Sequence, residues 1–263
     1  MTALWDAHIH LERYGDRAES LVRESVSAGV GALVAVSMDL ASSERTAALA
    51  AAFPGVVHPA YGFHPEQRIP SDAELDALFS WMERLAASGE RFAVGEVGLP
   101  YYSRQEAASA GRPFDEAPYV RLLERFVRFA VRYDLPLALH AVYEDAHKAC
   151  DILEAAGARR AHFHWFKGDD RAIERIVRGG WRVSFTPDCL YDPETRPLLG
   201  RFPLASVLTE TDGPWPFEGP FEGRETHPAM IRDVAGAIAE AYGLSPEDAA
   251  ETLARNAERE YGA

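Results

Sequence analysis

A chain of 263 residues that is 47% hydrophobic has enough apolar material for a large core, which excludes intrinsic disorder. Its formal charge of -14 excludes a broad surface for long nucleic acid, because sequence-independent binding needs an excess of Lys and Arg. Two cysteines outside any C-x-x-C pair exclude a disulfide framework and a cysteine zinc site. No stretch of about 18 apolar residues is available to span a bilayer, and "MTALWDAHIH" lacks a basic region followed by a long apolar run, so a reducing, cytoplasmic setting is expected.

In chain order, the first strand-length apolar run is Leu4–His10, ending in "DAHIH". Residues two apart in a strand share a face, so His8 and His10 point the same way. A helical pattern over Asp16–Ala28 ends at Gly29, and a second run covers Gly31–Ser37. The third run, Val56–Phe63, leads into "YGFHP" with His64. A helix follows over Ser71–Ala87, with Ser71 and Glu74 spaced as a capping box. The fourth run, Phe92–Leu99, buries Glu96 inside "AVGEVGL", and Leu99–Pro118 is expected to be a long loop. Tyr119–Tyr133 carries an i, i+3, i+4 apolar stripe through Leu122, Leu123, Phe126, Phe129 and Ala130. The fifth run, Pro136–Ala141, contains "LALH" with His140; the sixth, Arg160–Phe166, contains "AHFHWF" with His162 and His164. The seventh is Trp181–Thr186, and the eighth, Ser206–Asp212, places Glu210 and Asp212 in "LTETDG". The Gly/Pro-rich stretch 213–223 carries three aromatics and is read as a loop at a site, and a final helix opens with Ser245 as cap and Pro246 in its first turn.

Eight strands alternating with helices imply parallel pairing through crossovers. Together with a length near the ~250 residues typical of the class, this predicts a single-domain (β/α)8 TIM barrel over residues 1–263. A doubly wound open sheet is the alternative, disfavoured because no glycine-rich phosphate loop follows the first strand. Barrel enzymes keep their chemistry at the C-terminal ends of the strands. Those ends supply His8, His10, His64, Glu96, His140, His162, His164, Glu210 and Asp212, with no Lys or Arg at the same ends of those strands. Singly, each has an ordinary explanation: a hydrogen-bonded histidine, a Glu paired with an Arg, an Asp before a turn glycine. Together they form a set of imidazoles and carboxylates that a divalent cation neutralises. About six ligands exceed the four of a usual zinc site, which favours two cations.

The ordered motifs "DAHIH", "YGFHP", "VGEVGL", "LALH", "HFHWF" and "TETDGPW" resemble the TatD-like metal-dependent hydrolases, a branch of the amidohydrolase-type barrels. Each motif is weak by itself; the ordered set is strong. The resemblance implies that His8, His10, Glu96 and Asp212 hold one metal and that Glu96, His140 and His164 hold a second, with Glu96 bridging. It further implies hydrolysis, often of phosphodiester bonds in DNA, with Asp212 and Glu96 as catalytic residues. The cations fitting such ligands are zinc, manganese, magnesium, nickel, iron or cobalt. Three positions depart from the family pattern. Pro100 replaces the usual Asp after Gly-Leu, "HAVYED" carries Glu144 and Asp145 in place of an Arg, and Arg224 with His227–Pro228 replaces an Arg followed by Asn-x-Pro. The metal set is intact and the substrate-facing set is changed.

On the substrate side, His64, Arg224, Trp165, Tyr101 and Trp215 are the expected contacts, Arg224 as a phosphate clamp and the aromatics as surfaces for a base or ring. Lys167 is a further cation near His164. Tyr102 and Phe217 are expected to roof the barrel, and His58, His147, Cys150 and Cys189 to be structural. The expected substrate is a DNA end or short DNA. The alternatives are a small molecule with a C–N, ester or lactone bond, favoured by the acidic composition, and a non-catalytic metal-binding protein. No extended nucleic-acid surface and no membrane partner are expected, and nothing in the sequence calls for more than a monomer.

Overall fold

The structure, a computed structural model, describes residues 3–262. Its strands are β1 (Leu4–Ile9), β2 (Val30–Ala35), β3 (Val57–Tyr61), β4 (Ala93–Gly98), β5 (Leu137–His140), β6 (Ala161–Phe163), β7 (Arg182–Phe185) and β8 (Val207–Thr209). Each pairs in parallel with the next, in the order β1 to β8. The ring closes where β8 meets β1: Thr209 Oγ1 donates to the Trp5 carbonyl (2.9 Å), Asp212 N to the His8 carbonyl (2.9 Å) and His10 N to the Gly213 carbonyl (2.8 Å). This is the (β/α)8 barrel expected from the alternation of runs.

The helices are α1 (Ala18–Ser27), α2 (Leu40–Ala52), α3 (Asp72–Ala87), α4 (Tyr101–Ser109), α5 (Ala117–Tyr133), α6 (Glu144–Ala156), α7 (Asp170–Gly179), α8 (Ile231–Tyr242) and α9 (Pro246–Tyr261). The capping box of α3 forms as its spacing predicts: Ser71 Oγ accepts from Glu74 N while Glu74 Oε2 accepts from Ser71 N. Between β7 and β8 the chain makes only short 3-10 turns. None of the described helices is long and apolar enough to cross a membrane.

Two expectations change. The segment expected as a loop over Leu99–Pro118 contains α4, which buries only Ala107 and so leaves no apolar period to read. Polar contacts hold it: Glu66 accepts from its first amides, and Arg104 pairs with Glu116, Glu144 and Asp145. The first helix starts at Ala18 rather than Asp16, because Leu11–Arg17 form a 3-10 segment directly after His10.

The core has two layers. Large side chains such as Leu33, Met82, Phe126 and Phe163 fill the space between strands and helices. A separate cluster of smaller ones, Ala7, Val34, Val36, Ala60, Ala93, Ala138 and Leu208, packs together with Ala257 and Tyr261 of α9. Small residues also let β4 and β5 approach closely. A Cβ on Gly98 would lie 1.9 Å from the His140 carbonyl oxygen, so only glycine passes there. Gly98→Ala is therefore expected to destabilise the metal-free protein by about 1–3 kcal/mol through overpacking. By contrast, Gly236→Ala in α8, where an added Cβ meets nothing within 4 Å, is expected to stabilise it by up to ~1 kcal/mol. Urea unfolding of both variants checks the pair.

Candidate metal centre

Six of the eight strands deliver polar residues to the same mouth. His8 and His10 leave β1, His64 follows β3, Glu96 lies in β4, His140 ends β5, His164 follows β6 and Asp212 follows β8. The cluster centres on Glu96, which is fully buried. Its Oε2 lies 3.1 Å from both His8 Nε2 and His10 Nε2. Its Oε1 lies 2.8 Å from His164 Nε2 and 2.9 Å from His140 Nδ1. Asp212 Oδ1 completes the first half, 3.6 Å from His8 Nε2 and 3.5 Å from His10 Nε2. His140 Nδ1 and His164 Nε2 are 3.3 Å apart in the second half.

This set fits divalent cations. Donors sharing one ion at about 2.0–2.2 Å in tetrahedral geometry sit roughly 3.3–3.6 Å from one another, close to the spacings found. Asp212 Oδ1 is buried and has no hydrogen-bond partner, as expected of an atom arranged to ligate rather than to pair within the protein. Asp212 also holds a left-handed backbone (φ 49°), which aspartate tolerates better than most residues. Two groups of side chains with donor atoms close enough to hold an ion are His8, His10 and Asp212, and Glu96, His140 and His164. A further group joins His10, His64 and Glu96, and another joins His8, His164 and Glu210.

The protonation balance follows from burial set against charge. Burial holds the His8 imidazole down at about 4. Burial also acts against charge on His10 and His140, but there the carboxylates outweigh it. Glu96 and Asp212 raise His10, and Glu66 and Glu96 raise His140 to about 9. Burial pushes the Asp212 carboxyl up to about 7 against the pull of His164 and His10. Glu96 goes the other way: burial opposes its charge, yet His64, His164 and His8 hold it well below the ordinary carboxylate range.

A second tier supports these groups. Asp6 accepts from Thr211 N (2.9 Å) and Thr211 Oγ1 (2.5 Å), tying β1 to the segment that carries Asp212. Glu210 Oε1 lies 3.5 Å from His164 Nδ1 and accepts from Trp165 N (2.6 Å). His162 turns away from the cluster: its Nδ1 meets Tyr261 Oη and its Nε2 meets Ser184 Oγ, both at 2.7 Å. Of the two sixth-strand histidines, His164 is therefore the one aimed at the centre.

Above the cluster lies a cavity of about 750 Å³. Its wall includes Trp165, Trp215, Phe217 and Tyr102, and two cations, Arg13 and Lys167. Trp165 is fixed by a hydrogen bond from its Nε1 to Asp188 Oδ2 (2.6 Å), and Trp215 meets it edge-on at 5.9 Å between ring centroids. Burial pushes the Asp188 carboxyl up to about 6. His64 also lines this space; its Nδ1 accepts from Glu66 N (3.1 Å), which leaves its Nε2 protonated when the ring is neutral, 3.4 Å from Glu96 Oε1.

Two expected substrate contacts stand elsewhere. Arg224 is exposed, with its guanidinium 5.5 Å from the Phe221 ring centroid, and is not part of the cavity wall. Tyr101 packs at a tilt against Tyr143, 4.6 Å between ring centroids, and is not part of the cavity wall, leaving Tyr102 as the wall residue. Glu144 and Asp145 do not face the cavity either, because Arg104 engages both. His58 packs on the Trp5 ring, His147 pairs with Asp169, and both cysteines are buried and free. The sequence reading missed Glu66, Arg13 and Asp188. None sits at a strand terminus, and only the position of Glu66, directly after "YGFHP", offered a signal.

The family pattern described as TatD related DNase matches residues 5–262. The chain belongs to this TatD family. A metal-dependent hydrolase of Haemophilus influenzae, otherwise uncharacterised, is 37% identical over 216 residues, 82% of this chain and 83% of that protein. A human relative named deoxyribonuclease TATDN3 is 28% identical over 97% of this chain and 93% of its own length. The crystal structure of YjjV, a TatD homologue from Escherichia coli K12, superposes with a TM-score of 0.82 at 26% identity, covering 99% of this chain and 98% of that one. This TatD-family chain is a metal-dependent hydrolase. Its Glu96 faces ligand candidates on both sides, so Glu96→Ala is expected to lower bound metal. Elemental analysis after metal loading checks this, and unchanged metal content would remove Glu96 from the centre.

Proposed function

We propose that this chain is a phosphodiesterase acting on DNA ends or short DNA, and that it works with two divalent cations. The first would be held by His8, His10, Glu96 and Asp212, and the second by Glu96, His140 and His164. The observation that carries the two-cation reading is the division of Glu96: Oε2 faces the β1 histidines, while Oε1 faces His140 and His164. Its ligands suit zinc, manganese, nickel, iron, cobalt or magnesium. When bound, a cation pair polarises a phosphoryl oxygen and lowers the pKa of water.

The protein's own groups divide the remaining work. Asp212, whose carboxyl is pushed up to about 7 by burial, takes the proton released by the attacking water. His64 lines the cavity as a substrate contact, with its Nδ1 engaged by the Glu66 amide and its Nε2 held 3.4 Å from Glu96 Oε1. Arg13 and Lys167 attract non-bridging phosphate oxygens, the role first assigned to Arg224. Trp165 and Trp215 present ring surfaces on which a base can stack, each stack being worth roughly 1–3 kcal/mol.

Support for a DNA substrate comes from the name of the human relative and from those two cations. The withdrawal of Glu144 and Asp145 into ion pairs with Arg104 removes one argument against an anionic substrate. Hydrolysis of a small uncharged ester, amide or lactone is the second reading, favoured by Asp192 and Glu218 on the same cavity wall. Elemental analysis paired with turnover of a single-stranded oligonucleotide and of bis(p-nitrophenyl) phosphate separates the two. Metal without phosphodiester turnover would sink the DNA reading.

Two variants test the roles. Asp212→Asn is expected to keep the fold and lower kcat by about 10²–10⁴-fold; full activity would refute the base assignment. Arg13→Ala is expected to raise KM for the oligonucleotide and flatten its salt dependence, whereas Arg224→Ala leaves both near wild type. Equal effects of the two would return the clamp to Arg224.

A further inference from the structure

Glu66 follows β3 by five residues and reaches across to the ends of β4 and β5. Its side chain is 14% exposed and each of its oxygens meets two groups. Oε1 accepts from Tyr102 N at 2.7 Å and lies 3.3 Å from His140 Nε2. Oε2 accepts from Ser103 N at 2.7 Å and from Ser103 Oγ at 2.5 Å. The carboxylate thus accepts three hydrogen bonds from α4 and faces His140 Nε2 at ion-pair distance. Burial opposes its charge, but His140 and Ser103 outweigh that and hold it down at about 2.

The consequence for His140 is directional. An imidazole ligates through one nitrogen and needs its proton on the other, and a carboxylate on the far nitrogen fixes both tautomer and ring angle. His140 Nδ1 faces Glu96 and His164, and Nε2 faces Glu66. The same carboxylate also clamps the first amides of α4, where Pro100, the residue before the helix, gives no side-chain cap. That helix carries Tyr102 into the cavity wall, with its ring 6.0 Å from the His140 ring.

We propose that Glu66 is the positioning residue for the His140 half of the centre: it aims His140 Nδ1 inward through Nε2 and locks α4, with Tyr102, onto the same carboxylate. The inference rests on the two-cation reading.

The test is calorimetric titration of the metal-free protein with Mn²⁺, comparing wild type with Glu66→Gln, Glu66→Ala and Ser103→Ala. Removing a carboxylate behind a ligating histidine typically costs about 10–100-fold in metal affinity. Both Glu66 variants are expected to weaken one Mn²⁺ equivalent by that much and to leave the other within about twofold. Ser103→Ala loses a contact to α4 without touching His140, and is expected to keep both equivalents within about twofold. Circular dichroism verifies folding, and Glu66→Gln carries the test if Glu66→Ala does not fold. Wild-type affinity in Glu66→Gln overturns the proposal, as does an equal loss in Ser103→Ala, which would place the effect in the helix clamp. The wild-type stoichiometry reports on the two-cation reading and the shift between variants reports on Glu66, so the two fail separately. No Mn²⁺ uptake by the wild type overturns both.

Discussion

Burial of the Glu96 carboxylate is the constraint on which the rest of this structure turns. An ionised carboxylate removed from water is costly unless partners surround it. Glu96 sits at 0% exposure with five imidazoles, those of His8, His10, His64, His140 and His164, within 3.4 Å of one or other of its oxygens. Five rings converging on one side chain from β1, β3, β5 and β6 require a closed ring of strands with a common polarity. A parallel barrel supplies that, because all its strand ends open on the same face.

The cluster in turn sets demands on its neighbours. Imidazoles packed together repel when charged, and burial resists charging them. The outcome differs ring by ring: His8 is held down, while His140, which has Glu66 behind it, is raised. A second tier of acids, Asp6, Glu66 and Glu210, stands behind the first. These acids do not reach Glu96, though Glu210 shares one candidate ion-holding group with His8 and His164. They hold the segments that do: Asp6 the Thr211 backbone, Glu210 the Trp165 amide and Glu66 the start of α4. The precision of the site is therefore distributed over side chains outside the set that faces Glu96.

Much of this was legible in the sequence. Strand-length apolar runs at regular intervals gave the barrel, and polar residues at their ends gave the cluster, because the alternation of strands and the common direction of a parallel sheet are both periodic properties. What escaped the reading was not periodic. Helix α4 buries one alanine and is held by ion pairs and a remote carboxylate, so no pattern marks it. Arg13 lies on the 3-10 segment after His10, and Asp188 on the one after β7. Their approach to the cavity depends on how those segments turn. Arg224 looked equally suited to a phosphate, being a cation close after "TDGPW", but its loop leaves it on the surface over Phe221. Loop cations are the least predictable residues here, because a few backbone torsions decide which of them face the cavity.

The net charge of -14 and a phosphodiester substrate are compatible once the distribution of charge is considered. Acids far from the cavity are screened from it, since the Debye length is about 8 Å at physiological ionic strength. Several of the nearer ones are neutralised locally. Glu116, Glu144 and Asp145 are paired with Arg104, and Glu116 and Asp145 also with Lys148; Asp188 lies 3.9 Å from Lys167 and accepts from the Trp165 indole. Cations in the centre would add positive charge at the base of the cavity, beneath Arg13 and Lys167 on its wall. The field a substrate meets is then set by the mouth of the barrel rather than by the whole surface. With cations bound, an acidic exterior over a cationic floor would disfavour long DNA lying across the protein, where many phosphates would face the surface, more than it disfavours a single phosphate at the mouth. On the proposed phosphodiesterase reading, charge placement would favour a DNA end over a duplex interior.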